Sequence, residues 1–291
     1  MRRRGVLARH RWLIMRRLVQ CGLLALFMAG PWLGIWWLKG NLASSVILDT
    51  VALSDPLIVL QSLAAGQGRG LAAIGGALTV LAIYLVIGGR SYCAWVCPIN
   101  PLTDVAAGLR SRLGLGPGWQ PSRRMRLWIL AALLPFSAVT GLIVWELVNP
   151  ITILQRGLVF GMGLGWTVVL AVFLFDLLVS RRGWCSHLCP VGAFYGLVGK
   201  AAVLRVNAAG RAACTDCGAC FRVCPEPQVI APALKPADAA ATPVILSGDC
   251  INCGRCIDVC DDKVFEFGLR RVTQRKPAGE IVGGSPKGSA R

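Results

Sequence analysis

Histidine is nearly absent. His10 and His187 are the only two in 291 residues, and no C-x-x-C-H occurs. That scarcity argues against bis-histidine haem in a bilayer and against covalently attached c-type haem. Acid is scarce too: 14 Asp and Glu stand against 31 Lys and Arg, a net charge of +17. An excess of that size fits nucleic acid, but no basic stripe interleaved with aromatics is present. The arginines gather beside apolar runs instead, as they do on the inner side of a membrane protein. With 55% hydrophobic residues, the chain is too apolar for a soluble domain. A cleavable signal is also missing. Residues 1–17 carry seven arginines and no acid, and Arg16-Arg17 has the look of an export pair. The apolar run that follows is too long for a signal core and has no small-residue cleavage site. The segment reads as a basic cytoplasmic N-terminus.

Cysteine is what the chain has in plenty, with 13. Cys214, Cys217, Cys220 and Cys224 form one C-x-x-C-x-x-C-x-x-x-C run, and Cys250, Cys253, Cys256 and Cys260 form another. This is the bacterial ferredoxin spacing, in which three thiolates wrap one [4Fe–4S] cluster and the fourth ligates its neighbour. The expected sets are Cys214, Cys217, Cys220 and Cys260 for one cluster, and Cys250, Cys253, Cys256 and Cys224 for the other. Glycines after Cys217 and Cys253 allow the tight turns this wrapping needs. Zinc would use two C-x-x-C pairs and leave four cysteines over, so the spacing favours clusters. Cys224 is followed by Pro225, whereas Cys260 is followed by Asp261, a difference outside the ligand set.

Ahead of these runs lie four apolar stretches, expected as helices over about 18–38, 71–89, 127–148 and 158–180. The first spans about 31 Å as a helix, matching a hydrocarbon core of about 30 Å, and Pro31 is expected to kink it. Segments 1–17 and 90–126 hold thirteen arginines, while 39–70 and 149–157 hold only Lys39, Arg69 and Arg156. Both termini and the clusters are therefore expected in the cytoplasm, where thiols stay reduced.

The apolar half repeats itself. Asp55-Pro56-Leu57-Ile58-Val59-Leu60-Gln61 matches Asn149-Pro150-Ile151-Thr152-Ile153-Leu154-Gln155, and Cys93-Ala94-Trp95-Val96-Cys97-Pro98 matches Cys185-Ser186-His187-Leu188-Cys189-Pro190. Each unit reads as an out-and-back hairpin closed inside by C-x-x-x-C-P. The expected fold is a membrane α-helical protein. It has a four-helix transmembrane bundle of two repeated hairpins (18–200), an α+β bacterial ferredoxin-like domain with two clusters (201–275) and a flexible tail (276–291).

Cys93, Cys97, Cys185 and Cys189 are expected to meet at the inner face, each pair on one helix face by its i, i+4 spacing. A relay, a metal or cluster site and a redox thiol pair are the functional readings; packing is the plain alternative. Cys21, alone in its span, is read as packing. Glu146 is a candidate proton acceptor for a quinol, against simple snorkelling to the interface. Asp176 is expected in an interfacial ion pair with Arg181-Arg182, and His187 either tunes the nearby thiols or caps a helix end.

These residues in this order resemble the NapH/MauN family of membrane-bound ferredoxin-type proteins. The landmarks are Gly30-Pro31-Trp32, Asp55-Pro56-Leu57, Cys93 to Pro98 with Asn100-Pro101, Trp145-Glu146 with Asn149-Pro150, Gly183-Trp184-Cys185 to Ala193, and the two ferredoxin runs. The resemblance covers nearly the whole chain to about Phe267. It implies a quinol dehydrogenase component in the bacterial inner membrane. Such a component takes electrons from ubiquinol towards a periplasmic nitrate reductase. The implied partners are a NapG-like iron–sulfur protein, c-type cytochromes of the nitrate reductase chain and a cytoplasmic ferredoxin-type protein. An electron-donating maturation factor and a membrane anchor for an iron–sulfur partner are the other function classes.

Overall fold

The structure is a computed structural model and describes residues 5–270 apart from 69, 117, 162 and 237–240. The tail expected over 276–291 lies outside the described residues.

A short turn, α1 (Val6–Arg9), leads into α2 (Arg11–Leu33). Two backbone N–H groups of its first turn, Trp12 and Leu13, donate to the Asp258 carboxylate at 3.1 and 3.3 Å. A carboxylate there satisfies orphan donors and complements the helix dipole. Pro31 lies in the last turn without ending the helix; Gly34, left-handed at φ 73°, does that. A three-stranded antiparallel meander follows, β1 (Leu38–Gly40), β2 (Ser44–Ile47) and β3 (Val51–Ser54). Then come α3 (Pro56–Ala64) and α4 (Leu71–Ile87), the short α5 (Ser91–Trp95) and α6 (Ile99–Arg112). The second unit runs through α7 (Met125–Thr140), α8 (Val144–Val148), α9 (Pro150–Phe160) and α10 (Trp166–Leu174). A π-helical turn (Phe175–Val179) extends α10, a second π turn covers Trp184–Leu188, and α11 (Pro190–Gly199) closes the unit.

The repeat seen in the sequence recurs in the elements. Asp55 and Asn149 cap α3 and α9 with their side-chain oxygens, and Pro56 and Pro150 occupy the first helical position. The two helices also cross-link the units. Gln61 Oε1 accepts from Trp145 N at 3.1 Å, and Gln155 Oε1 accepts from Leu42 N at 2.8 Å.

Helix lengths depart from expectation. Among the described residues one helix, Arg11–Leu33, is long and apolar enough to cross a membrane; Leu71–Ile87, Met125–Thr140 and Gly163–Val179 are apolar but shorter. Seventeen residues make about 25 Å of helix, less than a hydrocarbon core of about 30 Å. The third run, expected to Val148, stops at left-handed Gly141 (φ 65°) and resumes as α8; the fourth is interrupted at Gly161 (φ 93°).

The C-terminal domain holds β4 (Leu204–Asn207), paired antiparallel with β5 (Glu266–Leu269), and the short helices α12 (Ala219–Val223), α13 (Ala231–Leu234) and α14 (Arg255–Val259). Its core includes Val206, Ile230, Ile245 and Phe265 among the ferredoxin cysteines.

Candidate functional site

Cys214, Cys217, Cys220 and Cys260 line one cavity of about 260 Å³; Cys224, Cys250, Cys253 and Cys256 line another of about 20 Å³. The grouping is crossed, each run lending its fourth cysteine to the other group. Gly218 and Gly254, at φ 69° and 70°, precede α12 and α14 and make the turns around the first two cysteines of each run. Four thiols around one cavity are the donor set a [4Fe–4S] cluster takes, so these residues fit that group. The groups differ in setting. Cys217 is exposed and Cys214 half-buried, whereas Cys253 and Cys256 are buried. The first group faces solvent and the second faces the helical domain.

Cys93, Cys97, Cys185 and Cys189 come together around a third small cavity, walled also by Ile99, Ile151 and Val191. They do not sit as pairs on continuous α-helix, which corrects the i, i+4 reading. Cys97 N bonds to Tyr92 O at 3.0 Å and Cys189 N to Trp184 O at 2.9 Å, five residues back in each case. This wide turn ends at the proline; Pro98 is the residue before α6, and Pro190 takes the first position of α11. Cys97 and Cys189 are buried, at 6% and 7% exposed, and Cys93 and Cys185 are half-buried.

One arginine joins this quartet to the second ferredoxin group. Arg90, 1% exposed, donates to Cys185 O at 3.1 Å, to Asp249 O at 3.1 Å and to Glu226 Oε1 at 3.0 Å. Asp249 precedes Cys250, and Glu226 stands two residues after Cys224. Arg123 completes the clasp on Glu226, and Arg126 binds Asp249. Burial alone would raise the Glu226 carboxyl; Arg90 and Arg123 overcome it and hold the group down at about 2. Around this clasp Trp95 Nε1 donates to Asn252 O at 3.1 Å, and Asn252 Nδ2 donates to Ile87 O at 2.9 Å. Gly196 and Gly248 let the two backbones meet, since a Cβ on Gly248 would collide with the Gly196 carbonyl. The ferredoxin domain is thus docked with its buried cysteine group against the quartet.

The remaining candidates fall elsewhere. Glu146 pairs with Arg156 at 3.1 Å and with Asn149 Nδ2 at 3.2 Å, near the surface. Asp176 is not in the expected ion pair. The π turn swings it inward, where it is fully buried and its Oδ1 accepts from Trp184 N at 2.9 Å. Arg182 binds Asp104 instead, together with Arg16 and Arg17. His187 is buried but stands outside the wall of the quartet cavity, and Cys21 is exposed on α2. Sequence reasoning missed Arg90 and Glu226 as a clasp. The signal was available: an arginine and a glutamate each two or three residues from a cysteine motif, in a chain with little acid.

A family model described as a 4Fe-4S binding domain matches residues 69–116 and again 158–208, the two units that carry the quartet. One described as a 4Fe-4S dicluster domain matches 213–264. The methylamine utilization ferredoxin-type protein MauN of Methylorubrum extorquens is 56% identical over 268 residues, 92% of each chain. MauN of Paracoccus denitrificans is 55% identical, covering 92% of this chain and 94% of its own. The ferredoxin-type protein NapH of Escherichia coli K12 is 47% identical over 262 residues, 90% of each chain. No solved structure matches. Two crossed cysteine groups in a ferredoxin domain, docked on a repeated helical unit and matched along nine-tenths of their length by these relatives, make the chain an iron–sulfur electron-transfer protein that belongs to the NapH/MauN family of ferredoxin-type proteins.

Proposed function

We propose that the chain is the quinol dehydrogenase component of a membrane electron-transfer system. It would oxidise a quinol inside the helical domain and deliver electrons singly to a partner at the exposed ferredoxin group. The observation that carries this reading is the order of the thiol groups. A cysteine quartet lies in the helical domain, a buried group is docked on it through Arg90, and a third group opens to solvent. Cys224, Cys250, Cys253 and Cys256 would hold the inner [4Fe–4S] cluster, and Cys214, Cys217, Cys220 and Cys260 the outer one. Such clusters supply one-electron transfer over a wide range of potential. The protein's part is to bury the inner site, fix the docking with the Arg90–Glu226 clasp and leave the outer site accessible.

The resemblance in the sequence pointed towards a periplasmic nitrate reductase, with a NapG-like protein and c-type cytochromes downstream. Among the relatives, two MauN proteins stand at 56% and 55%, the NapH pair at 47% and 46%, and a further MauN at 45%, so both groups fit the same electron transfer. Quinol-driven bleaching of the iron–sulfur absorbance in the purified chain tests the proposal. A membrane anchor would show none, and a maturation factor would matter only while its target is assembled.

Two expected results go with this reading. Anaerobically purified protein should contain about eight irons and about eight acid-labile sulfides per chain. A zinc-loaded preparation without a low-temperature EPR signal after reduction would refute the cluster assignment. The arginine bias between 1–17 with 90–126 and the other loops supports a four-span bundle with both termini inside. Reporter fusions should then be periplasmic at Gln67 and cytoplasmic after Arg270. A periplasmic signal after Arg270 would sink the topology.

A further inference from the structure

The chain has three tyrosines, and all of them meet at one place. Tyr92 and Tyr195 stack at 4.9 Å with 21° between their planes, and Tyr84 stands edge-on to both, at 5.8 and 5.0 Å. They form one end of a cavity of about 210 Å³ between α2 and α4, roofed by the meander. Its walls are apolar, with Leu23 and Phe27 from α2, Val80 and Ile83 from α4, and Ile47 and Leu53 from the strands. Ile47 and Ile83 are 37% and 42% exposed, so the mouth opens on the apolar outer face of the helical domain. At the tyrosine end lies Asp55, 8% exposed. Its Oδ1 is used by the capped N–H groups of Leu57 and Ile58, and its Oδ2 accepts from the Tyr195 hydroxyl at 3.5 Å.

Building on the quinol-oxidising reading, we infer that this cavity is the quinol site, with Asp55 as proton acceptor and Tyr195 positioning its carboxylate. A quinol is an aromatic ring with two hydroxyls on an apolar tail. The cavity offers aromatic faces, one carboxylate and a greasy entrance in the matching order. Tyr92 lines both this cavity and the quartet cavity, and Cys93 follows it in the chain. The substrate ring would therefore lie one side chain from the quartet. Glu146, the acid singled out in the sequence, is held at the surface by Arg156.

Oxidation to the quinone breaks two O–H bonds and releases two protons and two electrons. Asp55 takes the protons one at a time at Oδ2 and discharges each to water along the meander. The electrons leave singly for the iron–sulfur acceptors of the ferredoxin domain. The groups facing Asp55 are Tyr195 from α11, Tyr84 from α4, Tyr92 from α5 and Glu146 from α8. Burial, more than any of them, pushes its carboxyl up to about 6.

The test uses the full chain in detergent with decylubiquinol. The rate of cluster bleaching should rise with pH through about 6, as Asp55 becomes the base. Asp55→Asn keeps the helix cap, as Asn149 does in the second unit. It should slow quinol-driven reduction on the order of 100-fold and abolish the pH limb, while dithionite reduces the clusters as before. Tyr195→Phe should move the limb to higher pH. Ile83→Phe narrows the mouth and should raise KM on the order of tenfold with kcat kept. It should also weaken decylubiquinone binding read by tryptophan fluorescence. Unchanged rates and unchanged binding in Asp55→Asn and Ile83→Phe, with a quinol-active wild type, would overturn the site and leave a cavity for a lipid tail. A wild type reduced by dithionite but not by quinol would overturn the broader reading; decylubiquinone binding lost in Ile83→Phe would still support the cavity.

Discussion

Replacing Arg90 with Met is expected to lower stability by about 3 kcal/mol and to slow electron delivery from quinol without removing a cluster ligand. Arg90 bonds at once to the Cys185 carbonyl, the Asp249 carbonyl and the Glu226 carboxylate, at 3.0 to 3.1 Å. Its removal strands two carbonyls and leaves a buried carboxylate with one arginine fewer. Breaking a buried ion pair from one side costs about 3–5 kcal/mol. The low end applies because Arg123 stays on Glu226. Arg123→Met is the control. That side chain is 33% exposed where Arg90 is 2%, so water can replace it and the loss should be below about 1 kcal/mol. The measurements are the thermal midpoint followed by cluster absorbance, iron content, and reduction by quinol against reduction by dithionite. Equal midpoints for the two variants, with normal quinol kinetics, would show that the clasp is not what holds the inner cysteine group to the quartet.

The cysteine groups and the repeat were legible in the sequence because each is written in spacing. Two short gaps joining three cysteines, and a slightly wider gap to the fourth, imply crossed cavities. Matching Asp-Pro and Asn-Pro dipeptides announce two capped helices. Helix ends were less legible, since hydropathy does not register a left-handed glycine. Gly141 and Gly161 sit inside apolar runs and end helices there. Asp176 was misread for a related reason. A π turn rotates side chains away from the direction that helical spacing assigns, and it turned this one towards a backbone N–H rather than an arginine. Asp55 was passed over because it falls in a segment that charge counting treats as a loop outside. Its burial depends on Tyr195, 140 residues away, and no local pattern carries that contact. The segment 1–17 reads in the sequence as a basic cytoplasmic N-terminus. In the fold its α2 entry is capped by Asp258, two residues after Cys256, and Trp12 packs on Phe267 at 4.9 Å. The first helix is therefore part of the ferredoxin dock.

Replacing Cys97 or Cys189 with Ser is expected to reduce quinol-driven electron transfer to background while leaving the iron content unchanged. Both line the small cavity between the quinol end of the domain and the Arg90 clasp, a cavity that Tyr92 lines too, and Cys189 immediately precedes α11, which carries Tyr195. Neither belongs to a ferredoxin run, so the outer and inner cluster ligands remain. The structure alters one part of the expectation. A helix end would tolerate serine freely, but these sites are 6% and 7% exposed, and an unpartnered hydroxyl in such a place costs about 1–3 kcal/mol. Ala is therefore needed beside Ser: it buries no hydroxyl and leaves a void smaller than a methyl group would fill. Both substitutions should stop quinol-driven reduction, with dithionite reduction and iron near wild type, and only Ser should carry the polar penalty in the thermal midpoint. Cys21→Ser, exposed on α2, should change nothing. If both variants at Cys97 and Cys189 keep normal kinetics, the quartet is packing and electrons reach the docked cysteine group by another path. If iron falls by about four per chain, the quartet holds a cluster of its own, and the count of two clusters is wrong.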